Sequence, residues 1–248
     1  MQLDGKVAIV YGAAGSMGGA VARAFAAEGA RLFLAGRTLA TVQALADEVR
    51  ANGGRAQAAE VDVDDRDSVE WHGDEVLDAA GRIDVSFNAA GMDAVQESAL
   101  VDMSLDDFMT PITEAARRHF ITMTAAARRM APQGAGAIVT LTSSAAKEWR
   151  HRMGGFSLGC ASIEVLTRTL AGELKGSGVR VACIRANFTP ETARGIPDGA
   201  TDPLLADTLL PRLPRLDEVA AAAVYLASDR AGATTGAVLD LTCGAIVS

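Results

Sequence analysis

The fold is decided by the stretch Val7-Ala8-Ile9-Val10-Tyr11-Gly12-Ala13-Ala14-Gly15-Ser16-Met17-Gly18-Gly19. Its first four residues are an apolar run without polar interruption, which predicts a strand that is buried on both faces of a sheet. A glycine-rich turn follows, and the spacing of apolar residues over 20–28 predicts a helix that Gly29 closes. The stretch therefore indicates a strand, a tight turn and a helix in direct succession.

The glycine-rich turn predicts a binding site for a dinucleotide. Gly12 can turn the chain sharply, and Gly18 lets the helix approach the strand. Gly15, Ser16 and Met17 lie in the turn just before the predicted helix, and the free N–H groups of a helix start can hold a pyrophosphate. The alternative is a plain strand-to-helix turn, which the glycines alone do not exclude.

Apolar runs of strand length alternate with helical patterns along the rest of the chain. The predicted strands cover residues 7–10, 31–35, 56–61, 83–87, 137–141, 179–184 and 238–241. The predicted helices cover residues 20–28, 39–52, 105–130 and 156–174. Repeated strand–helix units with short connections predict an α/β fold with a parallel sheet and helices on both faces. We expect a single domain over residues 1–248, since this length suits one such fold.

The composition limits the classes of function. The chain is 49% apolar and 22% charged, which is typical of a globular protein. Its net charge of −8 argues against a nucleic-acid partner, because phosphate binding needs a clustered basic face. No apolar run reaches the ~20 residues that cross a bilayer, and the first residues lack a signal-peptide pattern, so we expect no membrane partner. The three cysteines are far apart and predict reduced thiols in a cytoplasm, and the three histidines show no metal-ligand spacing.

Arg37 predicts which dinucleotide is preferred. It follows the second predicted strand, about 20 residues past the glycines, where an acidic residue would bind the ribose 2′-hydroxyl of NAD. A guanidinium instead fits a 2′-phosphate, and Thr38 could add a hydroxyl. We therefore expect NADP(H) to be preferred over NAD(H). The alternative is that Arg37 is a solvated surface residue.

The glycine-rich run resembles the Thr-Gly-x-x-x-Gly-x-Gly motif of the short-chain dehydrogenase/reductase family. Tyr11 takes the place of the Thr and Ser16 that of the middle Gly, while Gly12 and Gly18 are retained. This resemblance implies a Rossmann-type doubly wound sheet that binds a nicotinamide dinucleotide.

Further motifs extend the resemblance over almost the whole chain. Asp62-Val63 is similar to the pair that contacts adenine in this family. Asn88-Ala89-Ala90-Gly91 resembles its Asn-Asn-Ala-Gly stretch, so Asn88, Ala90 and Gly91 are implied to border the cofactor. Residues 220–236 resemble its C-terminal helix and the Thr-Gly that follows. The segment after the sixth strand departs from the family's Pro-Gly and reads Ala186-Asn187, in a region that normally cups the nicotinamide carboxamide.

The resemblance also implies four catalytic positions, of which one matches. Ser143 ends the fifth strand 13 residues before Phe156, the family's usual interval between Ser and Tyr, and would contact the substrate oxygen. Phe156 takes the position of the Tyr that exchanges the proton, and Cys160 that of the Lys. Ala115 takes the position of the Asn that holds a relay water. A proton donor must have a pKa near the working pH, so this set predicts altered chemistry.

Two residues could replace the missing donor. His151 lies in a charged run between the fifth strand and the next helix, and a histidine pKa needs little tuning. The alternative is that this run is a solvated loop. Cys160 could act only with a lowered pKa, and otherwise is a buried inert thiol. The proline-rich segment 187–214 is predicted to be a mobile loop over the ligand site.

The predicted function is an NADP(H)-binding oxidoreductase of the short-chain dehydrogenase type that acts on a small molecule by altered chemistry, such as reduction of an activated C=C bond. One alternative is a cofactor-binding sensor or scaffold without redox turnover. Another is a non-redox isomerase or cyclase that reuses the cleft. The resemblance implies a homo-oligomer, a tetramer or dimer, formed through the fourth and fifth helices, which are rich in small residues. The alternative is that these small residues simply pack against the sheet. The sequence does not specify the substrate.

Overall fold

The computed structural model describes residues 1–193 and 195–247. Seven strands form one parallel sheet in the order β3-β2-β1-β4-β5-β6-β7. The strands are β1 (Val7–Tyr11), β2 (Arg31–Gly36), β3 (Arg55–Glu60), β4 (Val85–Asn88), β5 (Gly136–Ser143), β6 (Val179–Ala186) and β7 (Ala237–Leu241). The strand order reverses between β1 and β4, and ligands of such sheets bind at the carboxyl ends of the strands beside this point.

Helices cover both faces of the sheet. They are α1 (Ser16–Ala27), α2 (Leu39–Ala51), α3 (Arg66–Ala80), α4 (Leu105–Gln133), α5 (Gly155–Glu173), the short α6 (Asp202–Ala206) and α7 (Leu216–Ala227). One apolar core joins α1, α2 and α7 to the sheet, and a second core joins α3, α4 and α5 to its other face. The predicted α/β fold with a doubly wound parallel sheet is therefore confirmed.

β1 shows how the alternation of side chains produces the two cores. Ala8 and Val10 point into the core with α1, while Val7, Ile9 and Tyr11 point into the core with α4. All five residues are buried, as the uninterrupted apolar run predicts.

Several predicted bounds were wrong at the ends that build the site. α1 begins at Ser16, four residues before the predicted start, because the glycine-rich turn itself supplies the first helical turn. β5 and β6 continue to Ser143 and Ala186, since their pairing extends past the apolar runs to those residues. The α3 helix was not predicted at all. Its buried side includes His72 and Gly73 in place of aliphatic residues, which weakens the helical pattern.

Among the described residues, no helix is both long and apolar enough to cross a membrane.

Candidate functional site

The turn after β1 has the shape that a dinucleotide phosphate requires. Gly12 has a φ of +69°, and a Cβ there would lie 2.8 Å from the backbone of Ala89 and Ala90. A Cβ on Gly18 would collide with the Gly12 carbonyl. Gly15 and Ser16 are exposed at the start of α1, where Gly15 caps the helix without a side-chain acceptor. Side chains at the two close approaches would fill this cradle, so the residues present fit a dinucleotide.

Two exposed residues stand at the end of β2. Arg37 directly follows the strand, and Thr38 is the N-cap residue of α2. Within residues 1–193 and 195–247, the Arg37 side chain makes no hydrogen bond or ion pair, so its guanidinium is available to a ligand. Asp62 and Val63 follow β3, where Asp62 is exposed and Val63 is buried. The four residues thus stand after two neighbouring strands, at the carboxyl edge of the sheet.

The Asn88 side chain shapes the loop after β4. Asn88 is 2% exposed, its Nδ2 donates to Thr122 Oγ1 at 2.7 Å, and its Oδ1 accepts from the Ala90 N–H at 2.8 Å. These bonds fix the backbone of Ala90 and Gly91, which line the cleft described below. The structure thus brings the predicted Asn88–Gly91 stretch next to the glycine-rich turn.

A buried arginine, which the sequence analysis missed, joins this loop to two others. Arg118 of α4 is 7% exposed and forms a two-pronged ion pair with Asp64, the shorter contact being 2.8 Å. It also donates to the Gly91 carbonyl and pairs with Glu114 at 2.9 Å. Glu114 in turn accepts from the Asp93 N–H at 2.7 Å. Charge-assisted bonds of this kind hold the loops after β3 and β4 against α4.

A cleft of about 820 Å³ opens at the carboxyl ends of β4, β5 and β6. Its lining is mainly apolar, and the large apolar side chains are Met17, Met92, Leu141, Met153, Phe156, Phe188, Ile196 and Leu204. The polar lining includes Gln96, Glu97, Ser143, Arg150, His151, Arg152 and Asn187. An apolar cleft with a few convergent polar groups is the usual form of a small-molecule site.

Ser143 and Cys160 lie beside each other in this cleft, but only Ser143 presents a group suited to chemistry. The Ser143 Oγ accepts from the Ala145 N–H at 3.3 Å, so its hydroxyl proton remains free to donate. Burial raises the pKa of the Cys160 thiol to about 11, although hydrogen bonds with Ser143 and Thr142 lower it in part. The thiol is therefore protonated at neutral pH, as the alternative of an inert thiol predicts. Phe156, one helical turn before Cys160, lines the cleft with an aromatic ring.

Ala115 is buried in α4, and its carbonyl oxygen is already engaged. The Nδ1 atom of His119 lies 2.9 Å from this oxygen. Burial lowers the pKa of His119 to about 4, with a smaller contribution from the Arg118 charge, so the ring is neutral. Because a carbonyl only accepts, the proton must sit on Nδ1, and Nε2 has no partner among the described residues. A relay water bound to the Ala115 carbonyl would have to compete with His119.

His151 lies at the mouth of the cleft with a carboxylate partner. Its Nε2 is 2.9 Å from Asp207 Oδ2, and Asp207 Oδ1 is 3.0 Å from Arg150. His151 is half-buried and lines the cleft, whereas Lys147, Trp149, Arg150 and Arg152 of the same charged run are exposed. Asp207 follows α6, in the segment predicted to cover the site, and several residues of that segment do line the cleft. Nothing in the sequence pairs Asp207 with His151, because 56 residues separate them.

A buried ion pair supports the floor of the site. Arg185 of β6 is 2% exposed and bonds both oxygens of Glu164 at 2.8 Å. Its remaining nitrogen bonds Asp240 of β7 at 2.7 Å. Glu164 lies one helical turn after Cys160, so the network fixes α5 against β6 and β7.

The described residues hold no group of His, Cys, Asp and Glu side chains that could bind a metal ion.

Known proteins are similar to this chain over nearly its whole length. A family model described as enoyl-(acyl carrier protein) reductase matches residues 12–245. The chain is 34% identical to a D-threitol dehydrogenase of Mycolicibacterium smegmatis over 98% of its own length and 94% of that protein. It is 29% identical to a 3-oxoacyl-[acyl-carrier-protein] reductase of Thermotoga maritima, with full coverage of both. A dehydrogenase/reductase structure from Sinorhizobium meliloti is 26% identical and superposes with a TM-score of 0.88 over 99% of this chain and 97% of that one.

Proposed function

This chain belongs to the short-chain dehydrogenase/reductase family, and from that premise we propose that it is an NADP(H)-dependent reductase of activated C=C bonds. One observation carries the proposal. Ser143 can orient a substrate oxygen, but the groups at the positions implied for the proton donor and its partner are the ring of Phe156 and the protonated thiol of Cys160. A reaction that leaves the substrate oxygen unprotonated suits this arrangement better than one that needs an acid beside it.

The cofactor would lie along the carboxyl edge of the sheet. The turn from Gly12 to Gly18 would hold the pyrophosphate, with N–H groups of Ser16 and Met17 directed at it. Arg37 would pair with the 2′-phosphate, assisted by Thr38, which supports NADP(H) over NAD(H). The residues implied to border the adenine and the nicotinamide ribose are Asp62, Val63, Asn88, Ala90 and Gly91. When bound, NADPH supplies a hydride.

An α,β-unsaturated carbonyl compound can be reduced without an acid at its oxygen. A hydride supplied by NADPH, which would become NADP⁺, would add at the β-carbon, and the π electrons of the C=C bond would move to the carbonyl oxygen to give an enolate. The Ser143 hydroxyl, whose oxygen accepts from the Ala145 N–H, would donate a hydrogen bond to that oxygen. A proton from water then adds to the α-carbon, and the carbonyl forms again. The mainly apolar cleft favours a substrate with an apolar body.

The description of the matching family model supports this reaction, since an enoyl reductase acts on a C=C bond next to a carbonyl. The names of the two relatives describe the other reaction of the family, between alcohols and carbonyl compounds. Substrate tests must therefore compare the two reactions directly.

The second candidate is a carbonyl reductase in which His151 is the acid. The contact with Asp207 favours it, because a carboxylate 2.9 Å from Nε2 holds the ring at the mouth of the cleft. In this candidate His151 replaces the absent Tyr, and an ordinary ketone becomes a substrate.

Two matched probes separate the candidates. Cyclohex-2-en-1-one and cyclohexanone differ only in the C=C bond, and each is incubated with NADPH deuterated at C4. The proposal predicts cyclohexanone labelled at the β-carbon from the first probe and negligible cyclohexanol from the second. Rapid formation of cyclohexanol that is lost in His151→Gln would establish the second candidate instead.

Ser143→Ala should abolish label transfer to the enone while NADPH still binds. Thr110→Ala serves as the matched control, because Thr110 is exposed on α4 and its hydroxyl bonds only the Asp106 carbonyl. NADPH binding without label transfer to any enone or ketone would point to a sensor, a scaffold or a non-redox enzyme.

A further inference from the structure

We propose that the side-chain amide of Asn187 donates a hydrogen bond to the reacting oxygen of the substrate, so that Asn187 and Ser143 together form an oxyanion-binding pair. Asn187 directly follows β6 and lines the cleft, although only 7% of its surface is exposed. The inference rests on the proposed function, in which negative charge develops on that oxygen.

The hydrogen bonds of Asn187 determine which end of its amide faces the cleft. The Phe188 N–H donates to Asn187 Oδ1 at 2.8 Å, and the Ser144 hydroxyl donates to the same atom at 3.2 Å. Because a backbone N–H can only donate, the side-chain atom that faces it must be the oxygen. The nitrogen Nδ2 is then the other end of the amide.

The Nδ2 atom of Asn187 is an available donor. It makes no hydrogen bond to any of the described residues, and it is not among their enclosed and unpartnered polar atoms. Asn187 is one of the residues that line the cleft, so the exposed part of its surface borders the cleft. Two bonds to Oδ1 therefore hold the amide in place, and its NH₂ group is left free to donate in the cleft.

Asn187 and Ser143 come from adjacent strand ends. Ser143 pairs with Ala186 in the register of β5 and β6, so Asn187 lies one residue further along the neighbouring strand. Side chains alternate between the two faces along a strand, so the register alone does not join these two side chains; the cleft beyond both strand ends is where one substrate oxygen can reach them. Both residues line the cleft, and both retain a free proton to donate. Donors that are fixed before charge develops stabilise it without reorganisation.

The substitution Asn187→Asp tests this role with little change in shape. The carboxylate keeps one oxygen for Phe188 and Ser144 and places the second, also negative, where the NH₂ group stood. We expect kcat for enone reduction to fall by roughly 100-fold or more, since loss of one oxyanion donor has effects of that order. Asn52→Asp makes the same chemical change on the exposed C-cap of α2 and should leave kcat unaltered.

A binding measurement tests the pair without turnover. 4-Nitrophenol, whose phenolate absorbs in the visible, is titrated into the protein saturated with NADP⁺ at a series of pH values. The unaltered protein should bind the phenolate in preference to the phenol, so that the apparent pKa of the probe falls. Asn187→Asp should abolish that preference, while calorimetry shows an unchanged affinity for NADP⁺ and thermal melting shows an intact fold.

The outcomes separate this inference from the proposed function. If the enone is not reduced but phenolate binding is strong and depends on Asn187, the proposed reaction fails and the oxyanion-binding pair stands. If Asn187→Asp binds phenolate as the unaltered protein does, or if neither binds it, the inference is wrong. An equal loss of NADP⁺ affinity in Asn187→Asp would also overturn it, because the amide would then serve the cofactor.

Discussion

His151 and Asp207 join the two walls of the cleft mouth, with the His151 Nε2 2.9 Å from Asp207 Oδ2. His151 belongs to the loop after β5, and Asp207 follows α6 in the segment that covers the cleft. Arg150 binds the other carboxylate oxygen at 3.0 Å, so a single side chain holds the covering segment against two neighbours.

Removal of this carboxylate should loosen the cover of the cleft. In Asp207→Ala, we expect faster hydrogen exchange of amides in residues 202–207 and a severalfold higher KM for the enone, because the closed arrangement loses two charge-assisted bonds. Hydrogen exchange followed by mass spectrometry measures the first effect. The control Asp198→Ala removes an exposed carboxylate from the same segment. Equal exchange in the two variants would contradict the prediction.

Arg37 should determine cofactor choice. Arg37→Ala should weaken NADPH binding by about tenfold or more, the usual effect of losing a hydrogen bond to a charged group, and leave NADH binding unaltered. Isothermal titration calorimetry gives both affinities. Arg66→Ala, at an exposed arginine in the first turn of α3, controls for the loss of one positive charge. A preference for NADPH that persists in Arg37→Ala would show that Arg37 is a solvated surface residue.

Restoration of the family's Tyr and Lys should not restore ketone reduction. Cys160 is 1% exposed, so a Lys there must fit a longer, charged side chain among buried neighbours at the cleft wall, and we expect a loss of about 1–3 kcal/mol in the free energy of unfolding from overpacking alone. Phe156→Tyr alone should be tolerated, since Phe156 borders the open cleft. Urea denaturation and a cyclohexanone assay of Phe156→Tyr/Cys160→Lys provide the measurements. Rapid ketone reduction by a stable double variant would contradict the prediction that Tyr and Lys alone cannot restore this reaction.

Two buried histidines should make the protein sensitive to mild acid. Burial lowers the pKa of His72 and of His119 from an ordinary value of 6.5 to about 4, with smaller contributions from Arg129 and Arg118 respectively. The unfolded chain takes up protons on these histidines near pH 6.5, while the folded protein does not. The contribution of the two neutral histidines to the free energy of unfolding is therefore present above pH 6.5 and is lost as the pH falls toward 4.

Each of these shifts corresponds to roughly 3 kcal/mol. Urea denaturation gives the free energy of unfolding at pH 7 and at pH 5. The decrease in this free energy from pH 7 to pH 5 should be smaller in His119→Leu than in the unaltered protein, whatever the absolute stability of the variant. An identical decline in both would show that His119 titrates normally in the folded protein.

Exposed apolar side chains on two packed helices predict self-association. Phe120 of α4 is 51% exposed, and Leu158 and Val165 of α5 are 49% and 52% exposed. We expect a homo-oligomer, a tetramer or a dimer, that Phe120→Glu dissociates because the charge would be buried at the contact. Light scattering at micromolar concentration measures the mass, with Leu39→Glu on α2 as the control. A monomeric unaltered protein would contradict the prediction.

The sequence was informative where one local segment determines the structure. The apolar run of β1 and the glycines after it predicted a buried strand and a tight turn, and Gly12 does adopt a positive φ. The α3 helix escaped prediction because its buried side carries His72 and Gly73, so the apolar spacing that indicates a helix is incomplete.

The contacts that complete the site could not be predicted, because they join residues far apart in the chain. The guanidinium of Arg118 meets Asp64 across 54 residues, and Ser144 meets Asn187 across 43. Each of these residues is ordinary in its own segment, and only the pairing of the strands brings them together. The sequence therefore located Ser143 and His151 and marked Asn187 as a departure from the family motif, but it gave no reason to pair Asn187 with Ser144 or Asp207 with His151.

The last strand and the residues after it have a consequence for the synthesis of this protein. The Cys243 carbonyl accepts from the N–H groups of Leu209 and Leu210, and the Ala245 carbonyl accepts from Arg150. On the ribosome, the turn after β1 and the loop after β4 emerge well before these two carbonyl groups. A nascent chain can therefore form the cofactor edge of its sheet well before it can close the cleft, and a chain interrupted before residue 243 would leave the ribosome with that cleft open.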